Sequence, residues 1–228
     1  MPLIIGVTGS IATGKSTACR YFVEQGAIHC DADKLVHSMY EPGKPAFDRI
    51  VKTFGNEVIG KDGHVNRKIL GSKVFGKPEE MSKLTDAIGD IQAEVRGVME
   101  NWRDTLDRNQ ICLMEAVNFI DAGYGRYSDL TWLFAVENDV AKSRLMARNS
   151  LDSSSADQRL ASQKHWTIRA PAADIITHNN GNEETLIEDI QNEMSRITNL
   201  WLTSNLPKSV YMDSVSYTHL TLPTICSV

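Results

Sequence analysis

The sequence predicts an α/β protein in which helices cover both faces of a parallel sheet. Three observations carry this expectation. Compact apolar runs recur along the chain, amphipathic helical stretches separate most of them, and no internal repeat competes with that alternation.

Taken in order, "LIIGVT" (3–8) reads as a buried strand and "KSTACRYFVEQG" (15–26) as a helix closed by Gly26. A second strand, "AIHC" (27–30), runs into "DAD" (31–33). The segments "DKLVHSMY" (33–40) and "AFDRIVKTFG" (46–55) have helical periodicity, with Gly43 and Pro45 between them. Residues 56–76 mix turn signals with short apolar clusters, and residues 79 to about 107 give one long helical pattern. Strands return at "QICLMEAV" (110–117), "LTWLFAV" (130–136) and "ADIITHNNG" (173–181). Helical patterns fill 138–149 and 154–166, and an amphipathic helix spans 182–201. In such a sheet, sites lie beyond the carboxyl ends of the strands.

Composition narrows the function. The chain has 228 residues, 42% hydrophobic and 23% charged, with a formal net charge of -5. That balance argues for a globular protein and against a broad electrostatic footprint for nucleic acid. No run approaches the ~18 apolar residues of a membrane helix, and no export signal opens the chain, so a soluble cytoplasmic protein is expected, with no membrane partner. The four cysteines and six histidines are scattered without metal-ligand spacing, as in a reduced compartment, and no zinc site is expected.

The last fourteen positions, 215–228, carry no Asp, Glu, Lys or Arg. "VSYTHL" (215–220) equals one reading frame of the transposase mosaic end used in sequencing libraries. A non-native tail is therefore expected there, outside the fold.

The stretch "GSIATGKST" (9–17) carries the chemistry. Gly9, Gly14, Lys15 and Ser16 satisfy the spacing G-x-x-x-x-G-K-[ST], between a predicted strand and a predicted helix. Small residues let backbone N–H groups turn onto phosphate oxygens, and the helix dipole adds positive potential. Lys15 would reach the terminal phosphates, the Ser16 hydroxyl would ligate Mg2+, and Thr17 would support the loop. The motif does not name the phosphate acceptor, because GTPases, ATPases and small-molecule kinases share it.

On the acceptor side, Asp31 and Asp33 lie two apart at the end of the second strand, so both carboxylates can face one cleft. One would orient a hydroxyl nucleophile while its neighbour helps with metal-bound water; Asp33 could equally cap the helix beginning at Lys34. Arg144 and Arg148 share a helix face, and Arg159 follows on the next helix near Gln163; together they are candidates for a lid that closes on a triphosphate, the alternative for at least one of them being solvated surface decoration. Arg67 is isolated in the sequence.

Together these blocks closely resemble the dephospho-CoA kinase family. The resemblance covers residues 3 to about 199 and rests on "GVTGSIATGKST", "DADKLVH", "FG" followed by "DGHVNRKILGSKVF", "RLMARN", "ADQRLASQ" and "ADIITHNNG". It implies a three-layer P-loop kinase fold with a five-stranded parallel sheet, in one domain over 1–214. Its core would be 1–33, 110–137 and 172–200, with a helical acceptor-binding insertion at about 34–109 and an Arg-bearing lid at about 138–170. It implies ATP-dependent, Mg2+-assisted phosphorylation of the ribose 3′-hydroxyl of dephospho-CoA, with a monomer favoured.

Carried over by residue, Gly9, Ala12, Thr13, Gly14, Lys15, Ser16 and Thr17 would hold the ATP phosphates. Arg144, Arg159 and Asn180 would complete the nucleotide site. Thr8, Asp31, Asp33, His37 and Arg67 would meet the acceptor. Asp33, Lys15 and Arg148 would be catalytic.

Four features depart from the family. Ser10 and Ala12 stand where glycines are common. Asp90 and Ile91 fall where the family has His-Pro. "VNFID" (117–121) replaces Pro-Leu-Leu-Phe-Glu, with Asp121 in place of Glu. Glu115 has no family role to inherit; a metal-shell carboxylate and a strand-end residue facing solvent are both open. A nucleoside or nucleotide kinase of the same fold is the alternative. A GTP-hydrolysing switch is disfavoured, because the chain lacks NKxD and DxxG motifs and such a switch has no use for an Arg-rich lid.

Overall fold

Residues 1–217 are described by a computed structural model of the chain. Five strands, β1 (Leu3–Gly9), β2 (Ile28–Asp31), β3 (Ile111–Glu115), β4 (Leu130–Ala135) and β5 (Ile175–His178), form one sheet in the order β2-β3-β1-β4-β5. Every neighbouring pair is parallel, as expected from the alternation of strands and helices. Helix α1 (Lys15–Glu24) follows β1. Between β2 and β3 run α2 (Ala32–Met39), α3 (Pro45–Phe54), α4 (Arg67–Val74), α5 (Pro78–Ile88) and α6 (Ile91–Thr105). After β4 come α7 (Asn138–Asn149), α8 (Ser153–Ala161) and the single turn α9 (Trp166–Arg169); α10 (Glu183–Leu202) and α11 (Tyr211–Tyr217) close the described chain.

Strand alternation divides the interior in two. Leu3, Ile5 and Val7 of β1 point to one face, where Ala18, Cys19 and Phe22 of α1 and Leu186, Ile190 and Ile197 of α10 cover them. Ile4, Cys112 and Met114 point to the other, where they share a core with Ile50, Leu70, Leu84, Val95 and Met99 of the helices inserted after β2. The result is three layers. Trp132, with no exposed surface, stacks on Phe134 at 5.6 Å, and its indole N–H donates to Thr177 Oγ1 at 2.9 Å, so the buried polar atom is satisfied.

Two helical readings change. The continuous pattern over 79–107 is two helices, because Gly89 adopts φ 108°, a conformation that ends α5, and the Asp90 carboxylate then caps α6 by accepting from Ala93 N at 2.9 Å. The pattern over 154–166 likewise stops at Ala161 and resumes as α9. Within the turn-rich stretch 56–76, Asn66 Oδ1 accepts from Lys68 N and Ile69 N at 3.1 and 3.2 Å and starts α4.

The chain after α10 returns to the fold. Asp174 accepts from Ser209 Oγ at 2.7 Å and from Val210 N at 2.8 Å, and the Tyr211 ring is fully buried beside Ile120 and Ala172. The tail expected over 215–228 begins within α11, and its residues 218–228 lie outside the described ones. No helix among the described residues is long and apolar enough to cross a membrane.

Tyr211→Ala tests this anchoring. Emptying a fully buried aromatic site should lower unfolding free energy by about 3 kcal/mol or more in denaturant titration. A loss under about 1 kcal/mol would mean that the segment contributes little to the fold.

Candidate active site

The loop after β1 is shaped by what its carbonyls do. Thr13 Oγ1 donates to Ser10 O at 2.9 Å, Arg144 Nη1 to Ala12 O at 3.3 Å, and Asn179 Nδ2 to Thr13 O at 3.0 Å. Three carbonyls are thus drawn to protein donors. Gly14, at φ 87°, caps α1 without a side chain, so the first-turn N–H groups of that helix stay available to an anion. A Cβ at Gly14 would lie 2.3 Å from Asn179 Nδ2, which excludes larger residues. Ala12 holds a left-handed φ of 64°, the conformation for which a glycine is usual.

Glu115 occupies the carboxyl end of β3, paired with Val7 on one side and Asp31 on the other. Its residue is 6% exposed, which removes the solvent-facing alternative. Ser16 Oγ donates to its Oε1 at 2.8 Å, His29 Nε2 lies 3.0 Å from Oε2, and the Lys15 ammonium lies 3.6 Å from Oε1. Burial opposes its charge, but the His29 hydrogen bond, the Lys15 ammonium and the Ser16 hydroxyl more than offset it, holding the carboxyl down at about 2. The folded value lies below the ordinary 4.5. The stability Glu115 contributes is therefore complete above that value and is lost as pH falls toward about 2.

In front of the loop opens a cleft of about 610 Å³. It is lined by Lys15 and Ser16 of α1, Asp31 of β2, Asp33 and His37 of α2, Arg67 of α4, Arg148 of α7 and Arg159 of α8. Both aspartates reach this cleft, though the chain has already turned into α2 at Ala32. Asp31, not Asp33, caps that helix, accepting from Asp33 N at 3.0 Å and Lys34 N at 3.3 Å.

Arg67, isolated in sequence, places Nη1 3.1 Å from His37 Nδ1. With Nδ1 accepting, the neutral ring carries its proton on Nε2, a buried atom with no hydrogen-bond partner among the described residues. Burial first, and then the Arg67 guanidinium, lower the affinity of His37 for a second proton.

Three expected contacts move. Thr8 has no exposed surface, and its hydroxyl donates to Val117 O at 3.0 Å, so it belongs to the framework beneath the cleft and not to the acceptor surface. Arg144 gives its donors to Ala12 O, Asn179 O and Oδ1, and Gly181 O. It braces the phosphate loop against the β5–α10 loop and has little left to give a phosphate. Asn180 Oδ1 accepts from Glu137 N at 2.9 Å, holding the entry to α7; its neighbour Asn179, buried, is the residue that touches the phosphate loop.

The departure at Asp121 has a structural partner. Its carboxylate receives Lys164 Nζ at 2.7 Å and Arg169 Nε at 2.6 Å, both from beyond the lid helices. Ser10 Oγ donates to Lys164 O at 3.2 Å, and Ile11 N to Gln163 Oε1 at 2.8 Å. These bonds stitch the end of the lid to the loop. Sequence reasoning did not find Lys164, Arg169 or His29, since none falls in a motif.

A phosphate loop on the first strand of a 2-3-1-4-5 parallel sheet, facing carboxylates and arginines across one cleft, defines a P-loop phosphotransferase. The model of the dephospho-CoA kinase family matches residues 3–185. A dephospho-CoA kinase of Streptococcus pyogenes serotype M3 is 34% identical over 198 residues, 86% of this chain and 99% of that protein. One from Streptococcus pneumoniae is 34% identical over 191 residues, 83% and 94% of the two chains. The chain belongs to the dephospho-CoA kinase family. Its fold matches a solved dephospho-CoA kinase from Campylobacter jejuni with TM-score 0.66 at 24% identity, over 87% of this chain and 98% of that one. A Thermus thermophilus protein, TT1252, matches with TM-score 0.68 at 24% identity, over 86% and 96%.

Ala12→Gly is expected to raise unfolding free energy by up to about 1 kcal/mol, because relief of left-handed strain outweighs the extra freedom of the unfolded chain. Thermal denaturation measures it. A fall in melting temperature would contradict the strain assigned to Ala12.

Proposed function

We propose that this chain performs the reaction of its family, transfer of the ATP γ-phosphoryl group to the ribose 3′-hydroxyl of dephospho-CoA, in the cleft in front of the phosphate loop. One observation carries the reading. Lys15 and Ser16 of the phosphate loop line the same cleft as Asp33, His37 and Arg67.

In this arrangement the amides at the start of α1 hold the ATP phosphates and Lys15 offsets charge on the terminal group. Arg148 and Arg159 lie on the lid side of the cleft, where planar multi-donor groups neutralise the equatorial oxygens of the group in flight. Asp33 accepts a hydrogen bond from the attacking hydroxyl and lines it up, which contributes more than proton removal in a loose transition state. His37 and Arg67, joined through Nδ1 and Nη1 at 3.1 Å, line the part of the cleft where the acceptor molecule would lie. Burial first, and then Arg67, disfavour a second proton on the His37 ring.

The Ser16 hydroxyl and the Glu115 carboxylate, bonded to each other at 2.8 Å, are oxygen donors that fit Mg2+ and would hold it. Bound with ATP, Mg2+ would supply charge neutralisation on the outer phosphates. Cys19, Cys30 and Cys112 are free thiols, which suits a reducing, cytoplasmic setting.

The test is acceptor competition with Asp33→Asn as control. With ATP and Mg2+, dephospho-CoA should drive ADP formation well above background, while AMP, adenosine and pantothenate should not. Asp33→Asn should lower kcat by about 100-fold or more with little change in KM for ATP. Equal turnover of AMP would overturn the acceptor, and a loss confined to ATP binding would overturn the role of Asp33.

A further inference from the structure

Cys19 Sγ, a His29 ring nitrogen and a Glu115 carboxylate oxygen lie within 4.8 Å of one another, although 96 residues separate the first from the last. The sheet explains the meeting. Cys30 packs in the core shared with the inserted helices, so its neighbour His29 points to the opposite face, beneath α1. Glu115 shares that face, and Cys19 is one of three α1 residues buried against it. Phosphoryl transfer uses only the carboxylate.

We propose that Cys19, His29 and Glu115 form a site for a soft divalent cation, zinc foremost, and that its occupation inhibits the kinase by drawing Glu115 away from Lys15 and Ser16. A sulfur, an imidazole nitrogen and one carboxylate are the donor types zinc takes, with water completing a tetrahedron. In that geometry ligand atoms stand roughly 3.5 Å apart, which the three groups reach by side-chain rotation. Mg2+ is excluded, because it demands oxygen ligands and octahedral geometry. Cobalt(II) accepts the same set as zinc.

Charge balances as well. A thiolate and a carboxylate neutralise the dication, and the imidazole stays neutral. In the absence of metal, burial first and then the nearby Glu115 carboxylate push the Cys19 thiol well up and keep it protonated. Binding therefore breaks one S–H bond, forms one metal–sulfur bond and releases one proton to water. The ion enters past His29, whose side chain is 22% exposed against 8% for Glu115. Glu115 cannot serve both masters. A metal on its oxygens competes with the Ser16 hydroxyl at 2.8 Å and the Lys15 ammonium at 3.6 Å.

Cobalt(II) titration of the purified chain tests the site without turnover, so its result is independent of which acceptor the kinase uses. A thiolate-to-cobalt charge-transfer band should grow to one ion per chain, vanish on adding zinc, and be absent from both Cys19→Ser and Cys19→Ala. Cys30→Ser, whose thiol lies on the other face, should keep it. In kinase assays zinc should inhibit the wild type at concentrations at least about ten-fold below those needed for Cys19→Ser. Zinc-free turnover of Cys19→Ser should match wild type, since the proposed reaction gives the thiol no part. No band in the wild type, or a band that survives both Cys19 substitutions, overturns the site; equal zinc sensitivity of Cys19→Ser overturns the inhibition.

Discussion

Glu115 sits where β1, β2, β3 and the start of α1 converge, and three groups from two of these elements meet its carboxylate. Ser16 and Lys15 come from α1, and His29 from β2. An anion in a nearly closed position is costly unless it is paired and hydrogen-bonded. Here the pairing fixes Lys15 and Ser16, the groups proposed to meet ATP. The 3.6 Å separation from Lys15 is longer than a hydrogen bond, so the ammonium is held near the loop yet can swing to a phosphate.

The rest of the site follows from what is done with the remaining polar groups. Arg144, Asn179 and Thr13 take the loop carbonyls, and an uncapped helix start then presents its amides to the cleft. Lid and loop are joined through Ser10, Gln163 and Lys164, with Asp121 holding Lys164 and Arg169. A serine in place of a loop glycine therefore has a use: its hydroxyl bonds the lid. The alanine at position 12 has no such return, and its left-handed φ remains as strain. The two halves of the reaction are held by different layers. The nucleotide wall belongs to the sheet and α1, whereas His37 and Arg67 belong to the inserted helices, which share a core with the opposite sheet face.

Much of this was legible in the chain because it is local. All five strands and α1, α7 and α10 follow from apolar runs and periodicity, and the phosphate loop from spacing alone. What escaped depends on distance in sequence. Gly89 reads as one more residue of a helix until its φ of 108° is seen, and the functions of Thr8 and Arg144 depend on carbonyls more than thirty residues away. An acidic residue inside the apolar run 110–117 was itself a signal, but its partners lie 86 and 99 residues back, at His29 and Ser16. The same folding brings scattered Cys19 and His29 onto one carboxylate, against the expectation that the chain holds no cluster of zinc-binding type.

The most direct measurement is steady-state kinetics of Glu115→Gln beside Glu115→Asp. Glutamine keeps the shape and removes the charge that gathers Lys15, Ser16 and His29. The account predicts that kcat with dephospho-CoA falls by about 100-fold with KM for the acceptor little changed, and that the melting temperature also falls, because the paired charge supports the fold. Glu115→Asp, which restores the charge, should recover part of the lost rate. Turnover of Glu115→Gln equal to wild type would contradict it.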